Sequence, residues 1–157
     1  MPTPSERRTL RFDSIDEAFA DAESLAAAEQ AGTLRTCGQW TLGQALGHLA
    51  AWVDYGFNGA PVKIPFFIPW IARPFRKLIL SRTLPAGKNI PTVAGGTLAK
   101  DVISTEEGLV RFRKSFGRLK TESPSLSHLL LGRLNHDEWI VLNLRHAELH
   151  LSFMRCD

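Results

Sequence analysis

Near the end of the chain, residues 145–151 read R-H-A-E-L-H-L, which places two histidines four positions apart. If this stretch is helical, His146 and His150 project from one face with their Cβ atoms about 6 Å apart, close enough for both imidazoles to bind one metal ion. The zincin motif H-E-x-x-H differs, because it requires the glutamate directly after the first histidine. Here the carboxylate is Glu148, on the other side of the predicted helix, which argues against a zincin-type peptidase.

The surroundings of these histidines favour the metal interpretation. Their neighbours at helical spacing are apolar, so both imidazoles are expected to face the core, where an unpartnered polar group is costly to bury. His48 has the same expected environment, because it lies between Ala45 and Trp52 on the apolar side of another predicted helix. A third imidazole on a facing helix would complete the three-ligand, open arrangement of catalytic metal sites. The alternative is three core histidines that are satisfied by backbone or other polar groups.

Capping boxes predict where four helices begin, because a Ser, Thr or Asn followed three residues later by Glu or Gln satisfies two backbone donors. They lie at residues 14–17, 41–44, 104–107 and 135–138. Apolar residues at helical spacing follow each box, which predicts helices over about 15–30 and 42–57, a third that ends before 123–124, and a fourth with apolar residues as far as Phe153. Four amphipathic helices predict an all-α four-helix bundle.

Residues 59–103 are predicted to form a long crossover between the second and third helices, with a further helix over 70–82 kinked at Pro74. Such a crossover lets consecutive helices pack parallel. Its aromatic and aliphatic residues alternate with basic ones, which suggests a membrane-surface element, but its prolines argue against a long interfacial helix. A lid or a subunit contact beside the pocket is the preferred interpretation, and a homodimer is left open. Residues 1–12 are predicted to form an N-terminal arm.

Composition predicts one soluble domain over 1–157, since 44% of the residues are hydrophobic and 22% are charged. The net charge of +3 is spread without the dense basic stripe typical of nucleic-acid binding. Cys37 and Cys156 form no C-x-x-C pair, which suits a reducing compartment. Because no apolar h-region follows the first residues and no apolar run reaches the roughly 18 residues of a membrane span, we expect a cytoplasmic protein without stable membrane insertion.

Two stretches resemble the DinB/YfiT-like superfamily of metal-binding four-helix bundles, namely 40–50, W-T-L-G-Q-A-L-G-H-L-A, and 145–153, R-H-A-E-L-H-L-S-F. Residues 128–139, H-L-L-L-G-R-L-N-H-D-E-W, resemble a branch of it catalogued as a domain of unknown function. This branch usually has proline where Leu129 stands, and many members have histidine where Leu149 stands. The likeness extends from about residue 10 to 153.

The resemblance implies that His48, His146 and His150 bind one divalent ion, which is nickel, zinc or iron in different members, with positions left open for water or substrate. It also implies activities such as the transfer of low-molecular-weight thiols, including bacillithiol, mycothiol-dependent isomerisation, and hydrolysis.

These observations lead to the hypothesis of a metal-dependent enzyme. An ion held by three neutral imidazoles keeps its positive charge, so it acidifies a bound water or holds a thiol as thiolate. The expected activity is thiol S-transferase-like or hydrolase-like, on a small electrophilic substrate. Gln44 and Asn143 are candidates to orient substrate. Alternatively, Gln44 only caps its helix, and Asn143 only lies at the polar edge of the apolar helix face. Trp52 and His128 are further candidates to line the pocket. The alternative for Trp52 is core packing, and the alternative for His128 is a local hydrogen bond. The rival hypothesis is a non-catalytic metal- or ligand-binding bundle, because no other general acid or base is evident.

Overall fold

The computed structural model describes residues 7–90, 93–94 and 96–156. Six α-helices and two short strands lie within these ranges: α1 (Ile15–Gln30), β1 (Leu34–Thr36), α2 (Leu42–Asn58), α3 (Phe67–Ala72), α4 (Arg76–Ser81), α5 (Thr105–Thr121), α6 (His136–Leu151) and β2 (Met154–Cys156). The protein is mostly helical, as predicted, with a small sheet that the sequence pattern did not indicate. Residues 1–6 of the predicted arm, residues 91, 92 and 95 of the crossover, and residue 157 lie outside the described residues.

The four long helices begin at the predicted caps. The side chains of Ser14, Thr41, Ser104 and Asn135 each accept a hydrogen bond from the backbone N–H three residues further on. In α2 and α6 the capping box is complete, because the side chain at the third helical position also accepts from the backbone of the cap. The helix starts were predictable because a cap depends only on residues next to it in sequence.

One hydrophobic core is shared by these four helices. The residues with the largest fully buried side chains include Leu25 of α1, Leu46 and Leu49 of α2, Phe112 and Phe116 of α5, and Trp139 and Leu144 of α6. Since each helix contributes one apolar face to the same core, its opposite face is left for solvent or for the crossover.

Close approaches between helices define their relative directions. The first turns of α2 and α5 lie together, because a Cβ at Gly108 would be 2.7 Å from the carbonyl oxygen of Gly43. The end of α2 lies against the start of α6, where a Cβ at Gly56 would be 2.9 Å from the ring of Trp139. Consequently α2 runs parallel to α5 and antiparallel to α6, and the crossover provides the length that the parallel arrangement requires.

The crossover contains two short helices in place of the single kinked helix that was predicted. A 3₁₀ turn over Arg73–Phe75 joins α3 to α4, with Pro74 in its first positions. The helical path continues through the proline because the first turn of a helix does not need its N–H donor. Among the described residues, no helix combines the length and apolar character needed to cross a bilayer.

The two strands connect distant parts of the chain. They pair antiparallel, with Leu34 opposite Cys156 and Thr36 opposite Met154. The Cys37 N–H extends the pairing by donating to the carbonyl of Phe153 at 2.9 Å. The loop that precedes α2 is thereby attached to the C-terminal end of α6, which matters for the site described next.

Candidate metal centre

Three imidazoles meet between α2 and α6. His48 Nε2 lies 3.2 Å from His146 Nε2, which lies 3.1 Å from His150 Nε2. All three candidate ligand atoms lie within 4.8 Å of one another. For metal–nitrogen distances of about 2.0–2.1 Å, ligand nitrogens are about 3.0 Å apart in octahedral and about 3.3 Å apart in tetrahedral geometry. The two closest contacts therefore have the spacing of nitrogens that share an ion.

The tautomer of His48 is fixed from outside the cluster. Its Nδ1 lies 2.9 Å from the carbonyl oxygen of Leu98 in the crossover. A carbonyl only accepts, so Nδ1 carries the proton of the neutral ring and Nε2 presents its lone pair to the other histidines. Histidines that bind metals commonly donate their second ring N–H in this way.

Neutral imidazoles supply only one proton for the two contacts. Because His48 Nε2 has no proton, its contact requires a proton on His146 Nε2. A protonated Nε2 has no lone pair left to accept a second proton, so this one proton has to serve the contacts with both His48 and His150. A shared cation would satisfy all three lone pairs at once. The donor set thus fits a divalent metal ion.

Burial keeps the three rings neutral. Desolvation lowers the pKa of His48 to about 4 and is the main reason that the pKa of His150 falls to about 3. Burial, followed by the neighbouring histidines, lowers the pKa of His146 well below its ordinary value. Protons therefore do not compete with a metal for these nitrogens at neutral pH.

Trp40 is a site residue that sequence analysis missed. Its ring stacks on the imidazole of His150, with 5.0 Å between centroids and 7° between planes, and meets His48 edge-on at 4.8 Å. Trp40 lies in the loop that the β1–β2 pairing attaches to the end of α6. Its position in a loop concealed it, since loop residues have no periodicity to show which side chain faces inward.

A cavity of about 1040 Å³ opens onto the three histidines. Its walls come from α2, α6, the loop before α6, and residues 84–90 of the crossover. Most lining residues are apolar; among those described, Arg7 and Lys88 are basic and none is acidic. A volume of this size accommodates a small organic molecule.

The two amide candidates have different positions. Gln44 is not among the described residues that line the cavity. Its side chain completes the capping box of α2 by accepting from the Thr41 N–H at 3.0 Å. Asn143 is buried and lines the cavity, and its Nδ2 donates to the carbonyl of Trp139 at 2.9 Å. Asn143 therefore keeps an amide oxygen as an acceptor beside the histidines.

His128 also lines the cavity, in a tight turn before α6. Its Nδ1 accepts from the backbone N–H groups of Leu130 and Leu131 at 3.2 and 3.1 Å, so the ring proton lies on Nε2. Gly132 closes the turn with φ of 72°, a conformation that favours glycine. Burial lowers the pKa of His128 to about 4. His128 is thus a neutral N–H donor at pH 7 and not a free base.

Trp52 completes the cavity wall between two histidines. Its ring lies 5.7 Å from that of His146 and 6.2 Å from that of His128. The side chain is only 8% exposed, and its Nε1–H has no hydrogen-bond partner within the described part of the chain. A buried donor of this kind is satisfied when a ligand or a water supplies an acceptor.

Arg7 is the second site residue that the sequence did not reveal. Its guanidinium donates twice to Ser152 Oγ, at 2.7 and 3.1 Å, and lies 4.2 Å from the ring centroid of Phe153. It also contributes to the lowered pKa of His150, after burial and His48. A positive charge is therefore held at the cavity wall near the three histidines.

Glu148 faces away from the cavity, as predicted. Its carboxylate pairs with Arg145 in the protein interior, where the two residues are 1% and 4% exposed. Both bind the backbone of Phe12, whose N–H donates to Glu148 at 2.7 Å and whose carbonyl accepts from Arg145 at 3.0 Å. Glu148 is therefore engaged with the N-terminal arm, which removes it as the base of a zincin-type site.

Comparison with curated proteins and with solved structures finds no match. One family, described as "Protein of unknown function (DUF1569)", matches residues 4–156. Because this match spans nearly the whole chain, the protein belongs to the DUF1569 family.

Proposed function

We propose that the protein is a divalent-metal-dependent enzyme of the DinB/YfiT-like four-helix-bundle superfamily, with His48, His146 and His150 as the ligands. The observation that carries the proposal is the convergence of three Nε2 atoms with too few protons to bond one another. Nickel, zinc and iron, the ions that the resemblance implies, all suit imidazole ligands. When bound, such an ion supplies Lewis acidity toward a thiol or a carbonyl group.

The substrate is a small, largely apolar electrophile, and the reaction is thiol S-transferase-like or hydrolase-like. The size and apolar lining of the cavity support a substrate of this kind. Arg7 and Lys88, without an acidic lining residue among those described, favour a substrate or thiol that carries a negative group. Cys37 and Cys156 are both free, which agrees with the cytoplasmic location that we propose.

The residues around the histidines bind and orient this substrate. His128 Nε2–H donates a hydrogen bond to it, and the side-chain oxygen of Asn143 accepts one. Leu142 and Leu149 line the cavity and exclude water from the reacting groups. Residues 84–90 act as a lid, because this part of the cavity wall lies in the crossover and belongs to no helix or strand.

The first test is elemental analysis by plasma mass spectrometry of untagged protein after incubation with nickel, zinc and iron. We expect one ion per chain in the wild type and little in His146→Ala/His150→Ala. His136→Gln is the matched control, because His136 Nε2 lies 2.7 Å from the carbonyl of Leu119 and outside the cluster. A wild type that stays metal-free would refute the proposal.

A non-catalytic metal- or ligand-binding protein is the second candidate. It is favoured by the lack of an acidic side chain among the described lining residues and by the engaged Nδ1 of His128, which leave no evident general base. Metal-loaded wild type and the double variant should be assayed side by side with a panel of thiols, electrophiles and esters. Turnover in the wild type alone supports an enzyme; ligand binding without turnover supports the second candidate.

A further inference from the structure

The outward face of the two crossover helices is apolar. Six large apolar side chains there are between 44% and 87% exposed, namely Phe66, Phe67, Trp70, Ile71, Phe75 and Leu78. Phe67, Ile71, Phe75 and Leu78 recur at intervals of three or four residues and Trp70 follows Phe67 by three, so these side chains share one side of the helical segment. We call this surface the α3–α4 face. Exposed apolar patches of this kind mark binding surfaces.

The inner side of the same segment faces the body of the protein. Ala72 and Ile79 line the cavity, and Arg76 pairs with Glu138 of α6 at 3.2 Å. The orientation of the segment is thus set by contacts with the body of the protein. The α3–α4 face is left outward and has no partner among the described residues.

The charge of the surrounding chain is entirely positive. Between Asp54 and Asp101 the sequence contains seven basic residues and no acidic one. Four of the basic side chains, Lys63, Arg73, Lys77 and Arg82, are exposed next to the apolar residues or among them. A binding partner of this face must therefore provide both an apolar region that can bury these side chains and negatively charged groups beside it.

We propose that the α3–α4 face docks on the surface of a lipid bilayer that contains anionic lipids. Short helices with Trp, Phe and Leu on one face and Lys or Arg beside them bind at the boundary between head groups and acyl chains. A second copy of the face is a poor occupant, because a symmetric dimer would bring two sets of positive charges together. Nucleic acid would stack on the aromatic rings but leave Ile71 and Leu78 uncovered. Docking of this kind is peripheral and requires no helix to cross the membrane.

The test is co-sedimentation of the full-length protein with vesicles of phosphatidylcholine, with and without phosphatidylserine. We expect binding to the anionic vesicles only, weakened by added salt. Phe67→Ser/Trp70→Ser should reduce the partition coefficient by more than about tenfold, since two large side chains leave the interface. Val102→Ser/Val110→Ser is the matched control, because these valines are 81% and 62% exposed outside the face, and it should bind as the wild type does.

The electrostatic part is tested with single charge changes. Lys77→Gln should weaken binding by roughly fivefold, the effect of one basic residue near an anionic surface. Lys114→Gln, an exposed position on α5, should have little effect. Thermal unfolding of each variant verifies that it is folded.

Four outcomes would overturn the proposal. The first is the absence of binding to either vesicle, and the second is equal binding by the Phe67/Trp70 and Val102/Val110 variants. The third is a lipid-free wild-type dimer in sedimentation velocity that Phe67→Ser/Trp70→Ser converts to monomer, which would assign the face to subunit contact. The fourth is tight, salt-sensitive binding of oligonucleotides in place of vesicles, which would assign the face to nucleic acid.

Discussion

At the scale of single residues, the proposed metal centre depends on the groups that hold each imidazole in place. Trp40 stacks on His150, so its removal frees that ring to rotate away from the other ligands. We predict that Trp40→Ala weakens metal affinity by about tenfold, as is usual for groups that orient a ligand. Trp40→Phe should restore part of the affinity. Competition with a chromophoric chelator measures both, and Trp70→Ala serves as the control because Trp70 is exposed outside the cavity. Unchanged affinity in Trp40→Ala would contradict this role.

The charged residues next to the proposed ligands of α6 have a structural function. In R-H-A-E-L-H-L the histidines face the cavity, while Arg145 and Glu148 form a buried pair that binds the backbone of Phe12. Glu148→Gln leaves the Arg145 charge uncompensated, so we predict a loss of about 3 kcal/mol in unfolding free energy by denaturant titration. Glu122→Gln removes an exposed pair with Arg118 and should cost less than about 1 kcal/mol. Equal losses of unfolding free energy in Glu148→Gln and Glu122→Gln would refute the structural function of the buried pair.

At the scale of elements, local interactions were predictable and long-range pairings were not. The capping boxes located the starts of α1, α2, α5 and α6, and helical spacing placed the three histidines on facing helices. The pairing of β1 with β2 joins residues more than a hundred positions apart through three-residue strands, too short for alternation to appear. Trp40 and Arg7 escaped prediction for the same reason, since a loop and an arm are positioned only by tertiary contacts.

Two glycines on α5 should respond in opposite ways to an added side chain, because only one of them lies where α2 and α5 approach closely. A Cβ at Gly108 would lie 2.7 Å from the backbone oxygen of Gly43, whereas a Cβ at Gly117 would meet nothing within 4 Å. We predict that Gly108→Ala destabilises the protein by about 1–3 kcal/mol, because neither backbone moves easily. Gly117→Ala should stabilise it by about 0.5–1 kcal/mol, through reduced freedom of the unfolded chain. Denaturant titration of each variant measures the change in unfolding free energy. If Gly108→Ala proved stabilising, α2 and α5 would be able to move apart at little cost.

At the scale of the whole molecule, an ion held by the histidines of both α2 and α6 would couple metal binding to folding. The free energy of binding adds to the stability of the folded state only, provided that the unfolded chain binds the ion weakly. The same coupling makes the metal-free protein depend on its buried, uncharged histidines. Removal of the metal should therefore expose a sensitivity to acid that the loaded protein does not have near neutral pH.

The acid sensitivity of the metal-free protein follows from three lowered pKa values. Burial lowers the pKa of His48 and His128 to about 4 and is the main cause of the pKa of about 3 at His150, against 6.5 for the ordinary side chain. Between pH 6.5 and about 4 the unfolded chain binds more protons than the folded one, so stability is present above pH 6.5 and is lost as the pH falls. At pH 5 each histidine contributes a loss of about 2 kcal/mol. We predict that the melting temperature of chelator-treated protein falls markedly from pH 7 to pH 5, and falls less in His150→Leu. Identical melting temperatures at the two pH values would show that these histidines are not buried as neutral groups.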